Sequence, residues 1–81
     1  MPYIKKEDRE RLDNLESIPE TPGELNYVIT MCINRYIGEH GLRYDIINDV
    51  VGALESAKLE FYRRIAAPYE DIKIIENGDV Y

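Results

Sequence analysis

Two apolar repeats with helical spacing, separated by "GEHG" at residues 38–41, constrain the fold of this chain more than anything else in it. In the first, Leu25, Val28, Ile29, Cys32, Tyr36 and Ile37 recur at three and four residues. That places them on one side of a helix of about four turns. The second starts around Tyr44 or Asp45 and runs to Ala67. Ile47, Val50, Val51, Leu54, Phe61 and Ile65 make its main stripe, and Lys58 is the one polar interruption. Two amphipathic helices joined by so short a turn predict an antiparallel helical hairpin over residues 21–67.

The ends of these helices are signalled. In "TPGE", residues 21–24, Thr21 can cap, Pro22 suits the first helical position, and Glu24 completes the capping-box spacing. The first helix runs out at Gly38, with His40 near its negative end. Pro68 is expected to end the second, because the residue before a proline resists the helical region.

Residues 1–20 hold a short N-terminal helix and a linker. "KKEDRERLDNLE" is charged, with a thin apolar line of Ile4, Leu12, Leu15 and Ile18, and Glu7 to Arg11 is a favourable i,i+4 pair. At the other end, "IKIIENGDVY" changes period. Asn77-Gly78 between Lys73–Glu76 and Asp79–Tyr81 is a hairpin signal with a type I′ turn. Residues 68–81 are therefore expected as a short β-like tail, either loosely ordered or with its strand paired to something else, such as the same tail of another subunit. The fold class is mainly α, in one small domain.

An 81-residue chain buries only about 60% of its unfolded surface, so its core is small. Cys32 is the single cysteine; no disulfide can form within the chain, and its place in the apolar pattern makes it a small core hydrophobe. Self-association is the remaining route to a larger core, and a homo-oligomer is expected. Gly52, inside the second helix, costs about 1 kcal/mol against alanine. With Ala53, Ser56 and Ala57 it makes a strip that another backbone could approach, from the first long helix or from another subunit.

"MPYIKKEDRERL" contains no apolar run of a signal peptide, and no stretch approaches the ~18 apolar residues that span a bilayer. A cytoplasmic protein without membrane partners is expected. The net charge is −6, carried by the flanks: residues 1–24 hold four basic and seven acidic groups, and residues 68–81 one basic and four acidic. Such a balance argues against a protein that tracks a duplex phosphate backbone by charge, but leaves room for a local pocket for one small anion.

Catalytic chemistry is sparse. One histidine and one cysteine exclude the zinc spacings. Ser17 and Ser56 lack a local nucleophile motif, and no Gly-rich phosphate loop is present. Asp45 and Asp49 lie four apart and could share a metal, but acids near a helix start are explained more simply by the dipole. No enzyme, cofactor or metal site is expected.

Seven tyrosines are the unusual feature. Within "KLEFYRRIAAPYED", Lys58 and Tyr62 share a helix face one turn before Arg63, Arg64 and the proline. A fold back over that face would bring Tyr69 to it, and Tyr36 offers a further ring. A flat aromatic beside a cation is what a nucleobase-phosphate ligand needs, so Lys58, Tyr62, Arg63, Arg64, Tyr69 and Tyr36 are the candidate ligand-binding residues. An equally physical reading is that cations near a helix end satisfy its dipole and that Glu60 pairs with Arg64. On one chain that second reading is favoured; across an oligomer interface the ligand reading gains.

"PGELNY", "INDVVGALESAKLEFYRR", "APYED" and "NGDVY" together resemble a small bacterial and bacteriophage protein family of unknown function, over nearly the whole chain. That resemblance implies no activity. Separately, "AKLEFYRRIAAP" is faintly similar to the last helix of a helical anti-CBASS sponge. Phage sponges of the anti-CBASS and anti-Thoeris types are short proteins that sequester nucleotide signals, some as helical homo-oligomers. This implies a non-catalytic oligomer holding an anionic nucleotide-like signal between subunits. The alternative is an adaptor that docks a protein partner through its N-terminal helix or acidic tail.

Overall fold

The computed structural model describes residues 5–13 and 17–81 and is mainly helical, with no strand among them. Ile4 and Leu15 of the expected N-terminal apolar line lie outside the described residues. The chain divides into two compact units, Met1–Ile46 and Ile47–Tyr81.

The first unit is built from α1 (Lys6–Asp13), α2 (Pro22–His40) and the first residues of α3 (Tyr44–Phe61). Thr21 is extended, at φ −134° and ψ 160°, and its hydroxyl oxygen accepts the Glu24 N–H at 3.1 Å. Pro22 follows in the first turn, where its missing N–H costs nothing. Glu24 departs from the expected reciprocal cap: its carboxylate takes the Glu20 N–H at 3.0 Å, one residue before the cap, and also the Arg11 guanidinium. The helix passes Gly38 and ends at His40, because Gly41 supplies the positive φ, 94°, and donates its N–H to the Ile37 carbonyl at 2.7 Å.

Helix α1 packs on α2, with Leu12 and Tyr27 as the buried centre and Val28 and Met31 against them. The face of α2 covered by α1 is thus Glu24, Tyr27, Val28 and Met31, of which Val28 alone belongs to the apolar stripe expected to be buried. Leu25 and Ile29 on that stripe are exposed. Cys32, expected as a core residue, is exposed as well. It lies five residues after Tyr27, about 140° round the helix.

The second unit corrects three expectations. Pro68 does not end the helix. Residues Tyr62–Ala66 form a π turn, in which the Ala67 N–H bonds the Tyr62 carbonyl, and α4 (Ala67–Asn77) continues directly. A proline inside an α-helix removes one hydrogen bond and presses its ring on the carbonyl four residues back. The wider π turn gives that carbonyl room, with Pro68 in the first turn after it. The expected β-like tail is also absent: Lys73–Glu76 is helical. Asn77-Gly78 is a helix end, with Gly78 at φ 85° donating its N–H to the Ile74 carbonyl at 2.8 Å. Asn-Gly serves a type I′ turn and a helix C-cap for the same reason, glycine's freedom at positive φ.

From Ile47 onward no residue is buried. The expected burial of the α3 stripe is not observed: Phe61 is 63% exposed and Ile65 56%. A Cβ built on Gly52 would meet nothing within 4 Å, so among the described residues no neighbouring backbone accounts for that glycine. Gly52→Ala is accordingly expected to stabilise the helix by about 1 kcal/mol in thermal or denaturant unfolding. A loss of assembly in this variant would instead place another chain against that strip.

Candidate functional site

Five of the six candidate ligand residues, Lys58, Tyr62, Arg63, Arg64 and Tyr69, lie in the second unit, and Tyr36 in the first. Three of the five, Tyr62, Arg63 and Arg64, open the π turn. Extra-residue turns of this kind recur at functional positions because they aim side chains off the regular helix.

Each cation of the group already has an acid beside it. The Lys58 ammonium lies 3.4 Å from Glu55. Glu60 takes both arginines, Arg64 at 2.5 Å and Arg63 at 3.4 Å, so the expected i,i+4 pair forms and a second cation joins it. The Tyr62 hydroxyl donates to Glu70 at 3.4 Å. Tyr69 carries the Lys73 ammonium 5.5 Å from its ring centre. Tyr36 meets His40, ring centres 4.4 Å apart and planes tilted by 46°. The arginine side chains are about 70% exposed, at 74% and 69%, and exposed pairs of this kind contribute at most ~1 kcal/mol. An anion could therefore displace the carboxylates at small cost.

A second polar cluster was not legible in the sequence. Arg11 on α1 binds Glu24 on α2, also lies 3.9 Å from Asp8, and reaches the Ile18 carbonyl at 3.4 Å. It does this in place of the expected pairing with Glu7. The Tyr27 hydroxyl donates to Asp13 at 2.8 Å. These bonds cross 13 and 14 residues of chain, with no local spacing to reveal them. Together they staple α1 to α2 around Leu12.

The staple carries a pH signature. Hydrogen bonds from Arg11 and from the Glu20 N–H hold the Glu24 carboxyl below its ordinary 4.5, since both favour the charged form. Its stabilising contribution is present above that ordinary value and is lost as pH falls through the depressed one. The bond to Asp13 raises the Tyr27 phenol above its ordinary 10.0, so that contribution is lost as pH rises through the raised value. Hydrogen-exchange protection of α1 is expected to fall at both extremes, and Glu24→Gln to remove the acid limb alone.

Asp45 pairs with Arg43 at 3.2 Å, and no group of three His, Cys, Asp or Glu side chains is arranged to hold a metal among the described residues. Among those residues no helix is long and apolar enough to cross a membrane. A family model described as a domain of unknown function (DUF6899) matches residues 1–80. No curated protein and no solved structure matches the chain.

Proposed function

We propose, for a chain that belongs to the family of domains of unknown function DUF6899, a non-catalytic binding protein that works as a homo-oligomer in the cytoplasm. One observation carries this reading. The helix from Ile47 to Asn77 buries no side chain, yet bears Ile47, Val51, Leu54, Phe61 and Ile65 along its length. Most helical stability in proteins comes from packing an apolar face, and a helix that packs nothing is marginal in water. A partner for that face supplies what the single chain lacks. Native mass spectrometry and light scattering over a hundredfold range of concentration test it: a discrete oligomer supports the reading, and a monomer throughout ends it.

A second reading concerns the ligand. The π turn gathers Tyr62, Arg63 and Arg64, with Lys58 and Tyr69 on either side, and favours a small anionic nucleotide-like molecule held between subunits in a phage anti-defence role. The carboxylates of Glu55, Glu60 and Glu70 oppose it, because each must be displaced or neutralised. Mixing the protein with cyclic dinucleotides and ADP-ribose derivatives before native mass spectrometry separates the outcomes. Uptake at fixed stoichiometry, lost in Tyr62→Ala and Arg63→Ala oligomers that stay assembled, supports a sponge. An oligomer that takes up nothing leaves the protein-interaction adaptor as the role.

A further inference from the structure

The exposed row along α3 and into the π turn has a feature that a generic apolar face does not. Lys58 sits within it, between Leu54 and Phe61, and is paired at 3.4 Å with Glu55 one turn earlier on the same helix. Both groups are open to solvent, at 72% and 55% of their side-chain surface. Ile47, Val51, Leu54, Phe61 and Ile65 fall at alternating spacings of four and three residues once Lys58 is included. That is the seam of a helix pair, with one polar residue at a core position.

We infer that the row from Ile47 to Ile65 docks on the same row of a second copy, antiparallel, with the Lys58–Glu55 pairs as the layer that sets register. This rests on the homo-oligomer reading and specifies its surface. A parallel, in-register pairing would set each Lys58 against the other Lys58 at the centre of the seam. The antiparallel pairing, with its two-fold axis level with residue 56, sets Lys58 opposite the partner's Leu54 and beside the partner's Glu55. It also sets Phe61 opposite Val51, large against small, and Ile65 opposite Ile47. Such an isologous contact closes as a pair and needs no third copy.

The area is adequate. Ile47, Val51, Leu54, Phe61 and Ile65 are between 39% and 63% exposed. At roughly 200 Å² for a fully exposed large side chain, with the apolar Lys58 stem added, they offer about 600 Å² per copy. One partner in a standard stable interface gives about 600–1,000 Å². Gly52 and Ser56 lie on the opposite side of the helix from this row, about 140° and 180° round from Ile47. The small-residue strip therefore takes no part. Lys58, a candidate ligand residue, is assigned to the seam.

The test uses the full chain and two charge reversals. Lys58→Glu sets a second carboxylate beside the partner's Glu55, and Glu55→Lys sets two lysines together. Each alone is expected to weaken self-association by about tenfold or more, with helical content of the concentrated protein as a folding control. Mixed one to one, the two variants are expected to recover a heterodimer, because each reversed charge then meets its opposite across the seam. A pair within one chain cannot be rescued in trans. Orientation is read by disulfide trapping in a Cys32→Ser background: Val51→Cys mixed with Phe61→Cys cross-links, and Val51→Cys with itself does not. A wild-type oligomer indifferent to both reversals, or failure of the mixture to associate, overturns the seam while leaving the homo-oligomer standing. Self-cross-linking of Val51→Cys overturns the antiparallel arrangement, and a wild-type monomer overturns both.

Discussion

Replacing Phe61 with aspartate is expected to abolish assembly and lower the helical content of the second unit. Phe61 is 63% exposed in the single chain, so the monomer loses almost nothing when the ring is removed. Across an interface the same change removes one of the largest apolar contacts and puts an unpaired carboxylate in its place. An uncompensated buried charge costs about 3–5 kcal/mol, more than a hundredfold in an association constant. The helix from Ile47 to Asn77 then has no face to pack, and circular dichroism should report fraying at low concentration. A variant with unchanged mass and dissociation constant would show that the row is not an interface. Phe61→Leu, which keeps an apolar side chain of similar reach, should retain most of the association.

Leu12→Ala is expected to release α1 from α2. Leu12 is 6% exposed, and with Tyr27 it forms the buried cluster that joins α1 to α2. Leucine-to-alanine changes at buried positions cost about 2–5 kcal/mol. In a unit this small the low end of that range is a large share of the whole stability. The polar staple does not rescue it, because the Arg11–Glu24 and Tyr27–Asp13 bonds need α1 in place to form. Hydrogen exchange should lose protection over residues 6–13 while residues 47–77 are unchanged. Equal loss in both segments would mean that the two units unfold together.

The parts of this fold legible in the sequence were the local ones. Thr21 and Pro22 set the start of α2 through dihedrals and single hydrogen bonds that span a few residues, whereas the end expected at Gly38 falls at His40, before Gly41. The periodicity of α3 was legible for the same reason. Two local signals pointed the wrong way. Pro68 reads as a helix stop, but a single wide turn over Tyr62–Ala66 accommodates it, and no residue type announces a π turn. Asn77-Gly78 reads as a hairpin turn because the glycine conformation it marks also caps helices. Of the candidate site, the Glu60–Arg64 pair was legible from spacing, whereas the acids that face Lys58 and Tyr62 depend on rotamers and on the turn between Tyr62 and Glu70.

Residue order alone shows that this chain is helical, where its first long helix begins, and that its core is small. Those follow from period, capping chemistry and surface-to-volume scaling. Which face of α2 is covered depends on contacts between α1 and α2. Arg11 and Asp13 draw α1 onto Glu24 and Tyr27, so the polar staple selects the buried face and leaves Leu25, Ile29 and Cys32 open. Hydrophobic burial has no direction of its own, and the hydrogen bonds that give it one here join residues too far apart in sequence for any local pattern to reveal.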